Sequence, residues 1–417
     1  MKITKIALLL SLVLTMTIML CSCDSLLGLD SIQEQINALE EKNNDLQAEI
    51  DALKKENEEL KADIESLNKE NDGLRAEVDE LNSQSGDIYA EALDFYPLPD
   101  GTYGVMAGNA IYMEKVVIPA EYNGKPVTQI LPNAFEANKN VTEIVIPDGI
   151  TYIGYSAFKY CSKLASVVIP DSVTHIGNYS FSDCTSLTSV VIPDGATTIG
   201  DGAFYNCSKL ASIVIPNSVT TIGYSAFYNC SSLASIVIPD GVTYIGDMMF
   251  YNCLGLTSIV IPDGVTAIDS HAFYYCASLT SVVIPDSVTS IDSHAFYYCT
   301  SLTSVVIPDS VTSIGNSAFS GCSSLTSVVI GDSVTSIGYV AFSGCHSLTS
   351  VVIPDSVTSI DNWAFGWCYN LISVEFKDPN GWRISGMYPL TSSELSNAST
   401  AAQYLTSTYR DYIWSKQ

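Results

Sequence analysis

The stretch LTSVVIPDSVTSIDSHAFYYC, residues 279–299, is one copy of a 23-residue unit whose near-copies fill most of the chain. Cysteine keeps the same step through ten units, from Cys161 to Cys368. A fixed period of about 20 to 50 residues predicts a stacked array, in which each unit's apolar face is completed by its neighbours. Phenylalanine falls at one place in eleven successive units: Phe135, Phe158, Phe181, Phe204, Phe227, Phe250, Phe273, Phe296, Phe319, Phe342 and Phe365.

Within this unit, the Leu-x-x-Val-x-Ile spacing from Leu279 to Ile284 predicts one strand with buried first, fourth and sixth residues. Pro285 ends the strand, because proline cannot donate a hydrogen bond to the ladder. The buried set continues at Val288 and Ile291. A turn follows, and then a short helical or looped segment that leads back onto the core.

The pattern is similar to leucine-rich repeats, specifically the BspA-like class of bacterial surface proteins. Units of that class read Leu-x-x-Val-x-Ile-Pro, Val-x-x-Ile-Gly and Ala-Phe-x-x-Cys, and the match covers residues 116–376. Departures are local: Gly331 replaces the proline, Asn138 takes the first cysteine position, and Met248 and Met249 replace a small residue and alanine. The resemblance implies a horseshoe-shaped solenoid with short strands on its concave side and a role in adhesion or binding.

The array has irregular ends, as expected of terminal units that cover an open core. Residues 89–131 are predicted to form the N-terminal cap and first irregular repeat, and residues 132–376 the regular repeats. Residues 377–417 leave the period and are predicted to form the C-terminal cap, in which Trp382 and Trp414 cover the last unit.

Two segments of the N-terminal cap carry turn-forming residues. Asp100-Gly101 predicts a hairpin, and the extra residues 123–126 predict a protruding loop.

The first 22 residues predict a lipoprotein signal peptide. Residues 6–20 form an apolar run of about 15 residues, shorter than the roughly 20 that a membrane-spanning helix needs. Residues 20–23, Leu-Cys-Ser-Cys, resemble the lipobox of bacterial lipoproteins, which implies that Cys23 becomes a lipidated N-terminus. The alternatives are a cleaved signal with a soluble product and an uncleaved membrane helix.

Residues 24–83 are predicted to form a long α-helical coiled coil before the repeats. Residues 29–81 keep a heptad pattern with Leu or Ile at every d position and Leu, Ile, Val or Asn at every a position. Asn43, Asn57 and Asn71 occupy a positions, where paired asparagines favour a parallel dimer. A single helix laced by charges is the alternative.

The charge balance narrows the choice of partners. The net charge is −27, and residues 210–376 contain eleven acidic residues but no lysine or arginine. Nucleic acid and anionic lipid both require clustered positive charge. The plausible partners of the repeats are therefore cationic, neutral or sugar-like.

The cysteine column has three possible readings. Units stacked about 4.8 Å apart could form disulfides, but parallel side chains point the same way, so buried free thiols are favoured. A zinc site is less favoured still, because zinc binds four ligands in tetrahedral geometry and a continuous row of thiolates does not supply that arrangement. Asn138 in the first position resembles the Asn or Cys ladder of leucine-rich repeats.

Acidic and histidine columns are candidates for metal binding. A row of carboxylates could bind calcium, but aspartate also forms turns with its own backbone, which we favour. His271 and His294 share one position in neighbouring units and could form a metal pair, although two loop histidines are the simpler reading. Asp follows the proline in eight units, at Asp148, Asp171, Asp194, Asp240, Asp263, Asp286, Asp309 and Asp355.

Two further columns are candidate binding surfaces. Tyrosine is favoured at binding sites, although such rings could equally pack on one another as structural padding. It follows the core phenylalanine at Tyr205, Tyr228, Tyr251, Tyr274 and Tyr297. An outward-facing row of valines would suit a protein partner. Valine takes the outward strand position at Val168, Val191, Val214, Val237, Val260, Val283, Val306, Val329 and Val352.

No catalytic grouping, phosphate loop or zinc spacing stands apart from the period, so neither an enzyme nor a cofactor is expected. The sequence predicts an exported, lipid-anchored homodimer on the bacterial cell surface whose repeats bind an extracellular or host protein. The alternative is a glycan-binding module that uses the tyrosine column.

Overall fold

The structure is a computed structural model that describes residues 66, 69, 91–387 and 389–416. The predicted signal peptide, Cys23 and the predicted coiled coil lie outside this part, except that Ser66 and Lys69 are helical and exposed. Within the part that it describes, no helix is long and apolar enough to cross a membrane.

The predicted strand of the repeat is present and stacks in parallel register on its neighbours. In Ser281–Val283, Val282 is buried beside Ile259 of the preceding unit, as alternation along a strand requires. The unit between Ser212–Val214 and Ser258–Val260 contributes an isolated bridge, in which Val237 pairs in parallel with Val260. These strands are Lys115–Val117, Glu143–Val145, Ser166–Val168, Ser189–Val191, Ser212–Val214, Ser258–Val260, Ser281–Val283, Ser304–Val306, Ser327–Val329, Ser350–Ile353 and Ser373–Phe376.

A second strand in each unit corrects the prediction of one strand per repeat. In Ser290–Ile291, the isoleucine is buried and pairs with Ile268 before it and Ile314 after it. Two residues are too few to show the alternation by which strands are recognised in a sequence. These strands are Lys125–Ile130, Tyr152–Ile153, His175–Ile176, Thr198–Ile199, Thr221–Ile222, Tyr244–Ile245, Ala267–Ile268, Ser290–Ile291, Ser313–Ile314, Ser336–Ile337 and Ser359–Ile360.

The third side of each unit is a loop and contains no helix. The backbone N–H of Phe296 donates to the carbonyl of Ala318 in the next unit (2.7 Å). His294 and Tyr298 flank this loop in left-handed conformations, with φ of 61° and 58°. The same two positions are left-handed in the other regular units, so each repeat turns back on the core at fixed points.

One continuous core runs along the array. The eleven phenylalanines from Phe135 to Phe365 are fully buried, and each ring stacks on the next at 5.1–5.8 Å. An aromatic pair contributes about 0.5–1.5 kcal/mol beyond the area that it buries. The column therefore stabilises each unit only through its neighbours.

The ten cysteines from Cys161 to Cys368 are buried free thiols, which confirms the favoured reading. Each Sγ donates to the carbonyl of the phenylalanine in the preceding unit, as Cys253 does to Phe227 (3.1 Å). Burial raises the pKa of the Cys253 thiol to about 12, so the thiolate needed for reaction does not form at neutral pH. Asn138 starts the column and accepts from the N–H of Val141 (3.1 Å).

Two hairpins build the N-terminal end. Strand Asp94–Pro97 pairs antiparallel with Tyr103–Met106 across the predicted Asp100-Gly101 turn. Strand Glu121–Tyr122 pairs antiparallel with the start of Lys125–Ile130. Of the extra residues 123–126, Asn123 and Gly124 therefore form the tip of a second hairpin, and Lys125 and Pro126 begin its returning strand. A 3-10 helix, Gly108–Tyr112, lies between them.

The C-terminal end replaces the missing next unit. Strand Trp414–Lys416 pairs antiparallel with Ser359–Ile360 on one side and Trp382–Ile384 on the other. Two short helices, Ser392–Leu395 and Ala398–Gln403, precede a π-helical turn, Tyr404–Thr408.

Two buried tryptophans, Trp382 and Trp414, pack on Phe376 at this end, with ring centroids 5.2 and 6.2 Å away. The last open face of the core is therefore covered by aromatic side chains.

We expect the free energy of unfolding to fall as the pH rises from about 9 to about 12. The unfolded thiols lose their protons near pH 9, whereas the folded Cys161, Cys253 and Cys322 hold theirs until about pH 12. The contribution of each thiol to the free energy of unfolding is therefore fully present below its unfolded pKa. As the pH rises from there to the folded pKa, this contribution falls by about 1.4 kcal/mol per pH unit. Urea unfolding at several alkaline pH values measures this slope. Cys253→Ala should make it shallower by one thiol's share, and an unchanged slope would contradict the assignment.

Candidate binding surfaces

The outward valines form an exposed stripe on the strand side of the array, which we call the valine stripe. Its N-terminal neighbours Val168, Val191 and Val214 are only half-buried, and Glu375 takes the equivalent place after Val352 and ends the stripe with a charge. The stripe consists of six valines that are 40–56% exposed: Val237, Val260, Val283, Val306, Val329 and Val352.

A row of threonines borders the valine stripe. Thr280 donates its hydroxyl to the carbonyl of Thr257 in the preceding unit (3.1 Å), and Thr303 donates in turn to Thr280 (3.3 Å). These bonds fix an ordered polar edge beside an apolar surface. Apolar centre and polar rim together are typical of protein interfaces.

The five predicted tyrosines lie together as one stack, which we call the tyrosine column. Neighbouring ring centroids are 4.4–4.7 Å apart, and the ring planes lie within 12° of parallel. Both faces of Tyr228, Tyr251 and Tyr274 are therefore covered by other tyrosines. The structure brings the predicted residues together, but in the inner three it leaves only edges and hydroxyls for a ligand.

Partial burial, followed by the neighbouring phenols, raises the pKa of Tyr274 to about 12. The same causes raise the pKa of Tyr228 and Tyr251, whose hydroxyls bond to one another. Tyr228, Tyr251 and Tyr274 are therefore neutral at physiological pH.

A column of amides lies next to the tyrosines, which sequence reasoning missed. The side chain of Asn252 donates to Asn229, Asn229 to Asn206, and Asn206 to the carboxylate of Asp183 (2.5, 2.5 and 2.7 Å). In the next two units Tyr275 and Tyr298 take this place and stack on each other at 5.0 Å. Comparing equivalent positions between units would have revealed both columns.

The two histidines stack face to face and do not converge. The rings of His271 and His294 are 4.8 Å apart and within 3° of parallel. Because the nitrogen lone pairs lie in these parallel planes, one metal ion cannot lie on the axis of both. The Nδ1 atom of His271 instead lies 3.7 Å from the carboxylate of Asp247 in the preceding unit.

The aspartates after the proline lie in the predicted turn. The N–H of Val288 donates to the carbonyl of Pro285 (3.0 Å), which closes the turn around Asp286. The Asp309 carboxylate accepts from the N–H of Asp332 in the next unit rather than from its own turn (2.8 Å). Among the residues that the structure describes, no three His, Cys, Asp or Glu side chains gather where they could hold a metal ion.

An open cleft of 460 Å³ lies where the tyrosine column ends. Its walls are aromatic, and its floor is made of small residues from the two intervening units. Sequence reasoning did not identify this cleft. The residues that line it are His294, Tyr297, Ser317, Ser320, Tyr339, Val340, Ser343, Trp363 and Trp367.

Comparison with known proteins identifies the repeat. The family model described as the BspA type leucine rich repeat region, which contains six copies of the repeat, matches residues 128–255, 174–303, 243–372 and 289–403. A search of curated proteins finds no match.

Several solved structures are similar to the chain. A leucine-rich repeat protein from Bacteroides ovatus is 30% identical over 68% of this chain and 87% of its own, with a TM-score of 0.49. A leucine rich cell surface protein from Faecalibacterium prausnitzii is 27% identical over 69% of this chain and 93% of its own, with a TM-score of 0.42.

We expect Tyr251→Ala to destabilise the protein by about 1–3 kcal/mol, because two stacked contacts and their buried area are lost. Tyr251→Phe keeps the rings and should cost about 1 kcal/mol or less. Urea unfolding measures both changes. Tyr112, which is 75% exposed, offers the control Tyr112→Ala, expected within about 0.5 kcal/mol of the parent. If Tyr251→Ala behaved like this control, the column would have no structural role.

Proposed function

Because the chain belongs to the BspA-type leucine-rich-repeat family, we propose that it is a bacterial cell-surface binding or adhesion protein that contacts extracellular or host proteins. The observation that carries this proposal is the valine stripe. Contiguous exposed apolar surface is uncommon on proteins without partners and marks interaction sites. Six neighbouring units contribute to it, so it offers a long, regular surface rather than a single pocket.

The charge around the stripe favours certain partners. Residues 210–376 carry acidic side chains and no lysine or arginine. A neutral or cationic protein would therefore approach this surface more readily than an acidic one, since complementary charge speeds encounter.

Glycan binding through the tyrosine column is the weaker alternative. Sugar rings stack on exposed aromatic faces, but Tyr228, Tyr251 and Tyr274 cover one another's faces. A glycan at these positions would be restricted to ring edges and hydroxyls.

The N-terminal sequence supports a proposal for how the repeats are held at the cell surface. Cys23 is the proposed site of lipidation, and residues 24–83 are the proposed parallel, dimeric coiled coil, with Asn43, Asn57 and Asn71 paired across its seam. At about 1.5 Å per residue, the heptads of residues 29–81 would span roughly 80 Å. Such a stalk would hold the repeats well away from the membrane.

We expect Val283→Asp to weaken binding to an extracellular protein partner at least about tenfold, because it puts a charge in the middle of an apolar contact. Affinity capture with the chain lacking residues 1–22, followed by titration of the captured partner, measures the loss. Leu254→Asp is the matched control, since Leu254 is 41% exposed and lies in a turn outside the valine stripe. Equal loss in both variants, or none in Val283→Asp, would remove the valine stripe as the binding surface.

We expect Cys23→Ser to abolish incorporation of a radioactive fatty acid and to release the protein from the membrane fraction. Cys21→Ser is the control, because Cys21 follows Leu20 and lacks the small residue that precedes the lipidated cysteine. Labelling that survives Cys23→Ser would show that the anchor lies elsewhere.

A further inference from the structure

The cleft arises where two successive units lose their rings. Tyr297 is the last member of the tyrosine column, and the next two units have Ser320 and Ser343 at that position. The adjoining tyrosine position changes in the same units, from Tyr298 to Gly321 and then Gly344. Because units stack at 5.1–5.3 Å here, the cleft has the room of two missing rings.

From this geometry we infer that the cleft is a binding site for a neutral oligosaccharide, whose sugar rings stack on the aromatic walls while their hydroxyls bond to the floor. This inference is independent of protein binding by the valine stripe, because the cleft is built from the loop side of the units.

One wall is the last tyrosine of the column. Tyr297 stacks on Tyr274 through one face, at 4.7 Å, and no ring follows it at position 320. Its other face borders the cleft. Unlike Tyr228, Tyr251 and Tyr274, whose two faces are covered by other tyrosines, Tyr297 has one ring face on the side of the cleft.

The opposite wall consists of two tryptophans that the protein holds in position. The rings of Trp363 and Trp367 are 5.1 Å apart and tilted by 54°. A Cβ atom on Gly366 would lie 2.5 Å from Cε3 of Trp363, so glycine is required beneath this ring. The guanidinium of Arg410, in the C-terminal end, packs on the Trp363 ring at 4.1 Å, and the backbone carbonyl of Arg410 accepts a hydrogen bond from the backbone N–H of Trp363.

Three apolar residues of the cleft lie at the two positions that are left-handed in every regular unit. Val340, Trp363 and Trp367 have φ of 50°, 60° and 57°, in the left-handed region where glycine or asparagine is less costly. The conformation belongs to the repeat itself, and a β-branched residue such as Val340 is uncommon in it. Large apolar side chains are thus kept at positions that disfavour them, and all three line the cleft.

The polar groups favour a neutral sugar over a charged ligand. No lysine, arginine, aspartate or glutamate lines the cleft. Burial and the neighbouring His271 lower the pKa of His294, which keeps this ring uncharged at neutral pH. Ser320 is half-buried and Tyr339 is exposed, so both hydroxyls can reach the hydroxyl groups of a sugar.

The experiment titrates the chain lacking residues 1–22 with neutral oligosaccharides of glucose, galactose, mannose and N-acetylglucosamine. Calorimetry and tryptophan fluorescence are the readouts, because Trp367 is 49% exposed in the cleft. We expect saturable binding of at least one sugar with a change in fluorescence. Absence of binding across the whole panel would overturn the inference.

Two variants locate the site. Ser320→Tyr adds the ring that the five preceding units already accommodate, so it should fold, fill the cleft and weaken binding at least about tenfold. Trp367→Ala removes an exposed wall and should weaken binding without a large loss of stability. Binding that survives both substitutions in folded protein would place the sugar elsewhere and overturn the assignment.

Controls separate this site from the other surfaces. Tyr251→Phe lies in the middle of the tyrosine column and should leave sugar binding unchanged. Val283→Asp should weaken protein binding alone, so the failure of one proposal is distinguishable from the failure of the other.

A proline-rich peptide that binds the cleft when no sugar of the panel does would overturn the carbohydrate assignment in favour of a peptide.

Discussion

The backbone hydrogen bonds between units, which recur every 23 residues, are the constraint on which everything else depends. On the strand side the N–H of Thr289 donates backwards to Thr266, and on the loop side that of Phe296 donates forwards to Ala318. Because the step never changes, each side chain lies directly beside its own equivalent in the next unit. A residue type that repeats in the sequence therefore becomes a column in space.

Columns explain how a repetitive chain can still carry specific surfaces. The buried columns are uniform, since phenylalanine and cysteine stack on copies of themselves over nearly the whole array. The surface columns begin and end. Tyrosine gives way to serine at Ser320, and valine gives way to a carboxylate at Glu375. Chemistry that is unique in the chain therefore lies at the ends of columns, where two kinds of neighbour meet.

The constant period also explains why some features could be predicted from the sequence and others could not. The solenoid, the strand at Ser281–Val283 and the free thiols followed from period and alternation, and the structure and the family match agree. The strand Ser290–Ile291 was missed because two residues carry no period. The cleft was missed because a search for recurring residues does not detect missing rings. In addition, the Trp363 ring packs on Arg410, which lies more than forty residues further along the chain.

The surface columns have a consequence for folding fidelity. A chain of near-copies can slip by one whole unit, looping out 23 residues, and the buried phenylalanine and cysteine columns would fit almost equally well after such a slip. The amide chain through Asn206, Asn229 and Asn252 and the stacked pair His271 and His294 would not, because each belongs to particular units. These short polar and aromatic runs occur only in particular units. An alignment that is shifted by one unit would lose their contacts, so the runs favour the correct alignment.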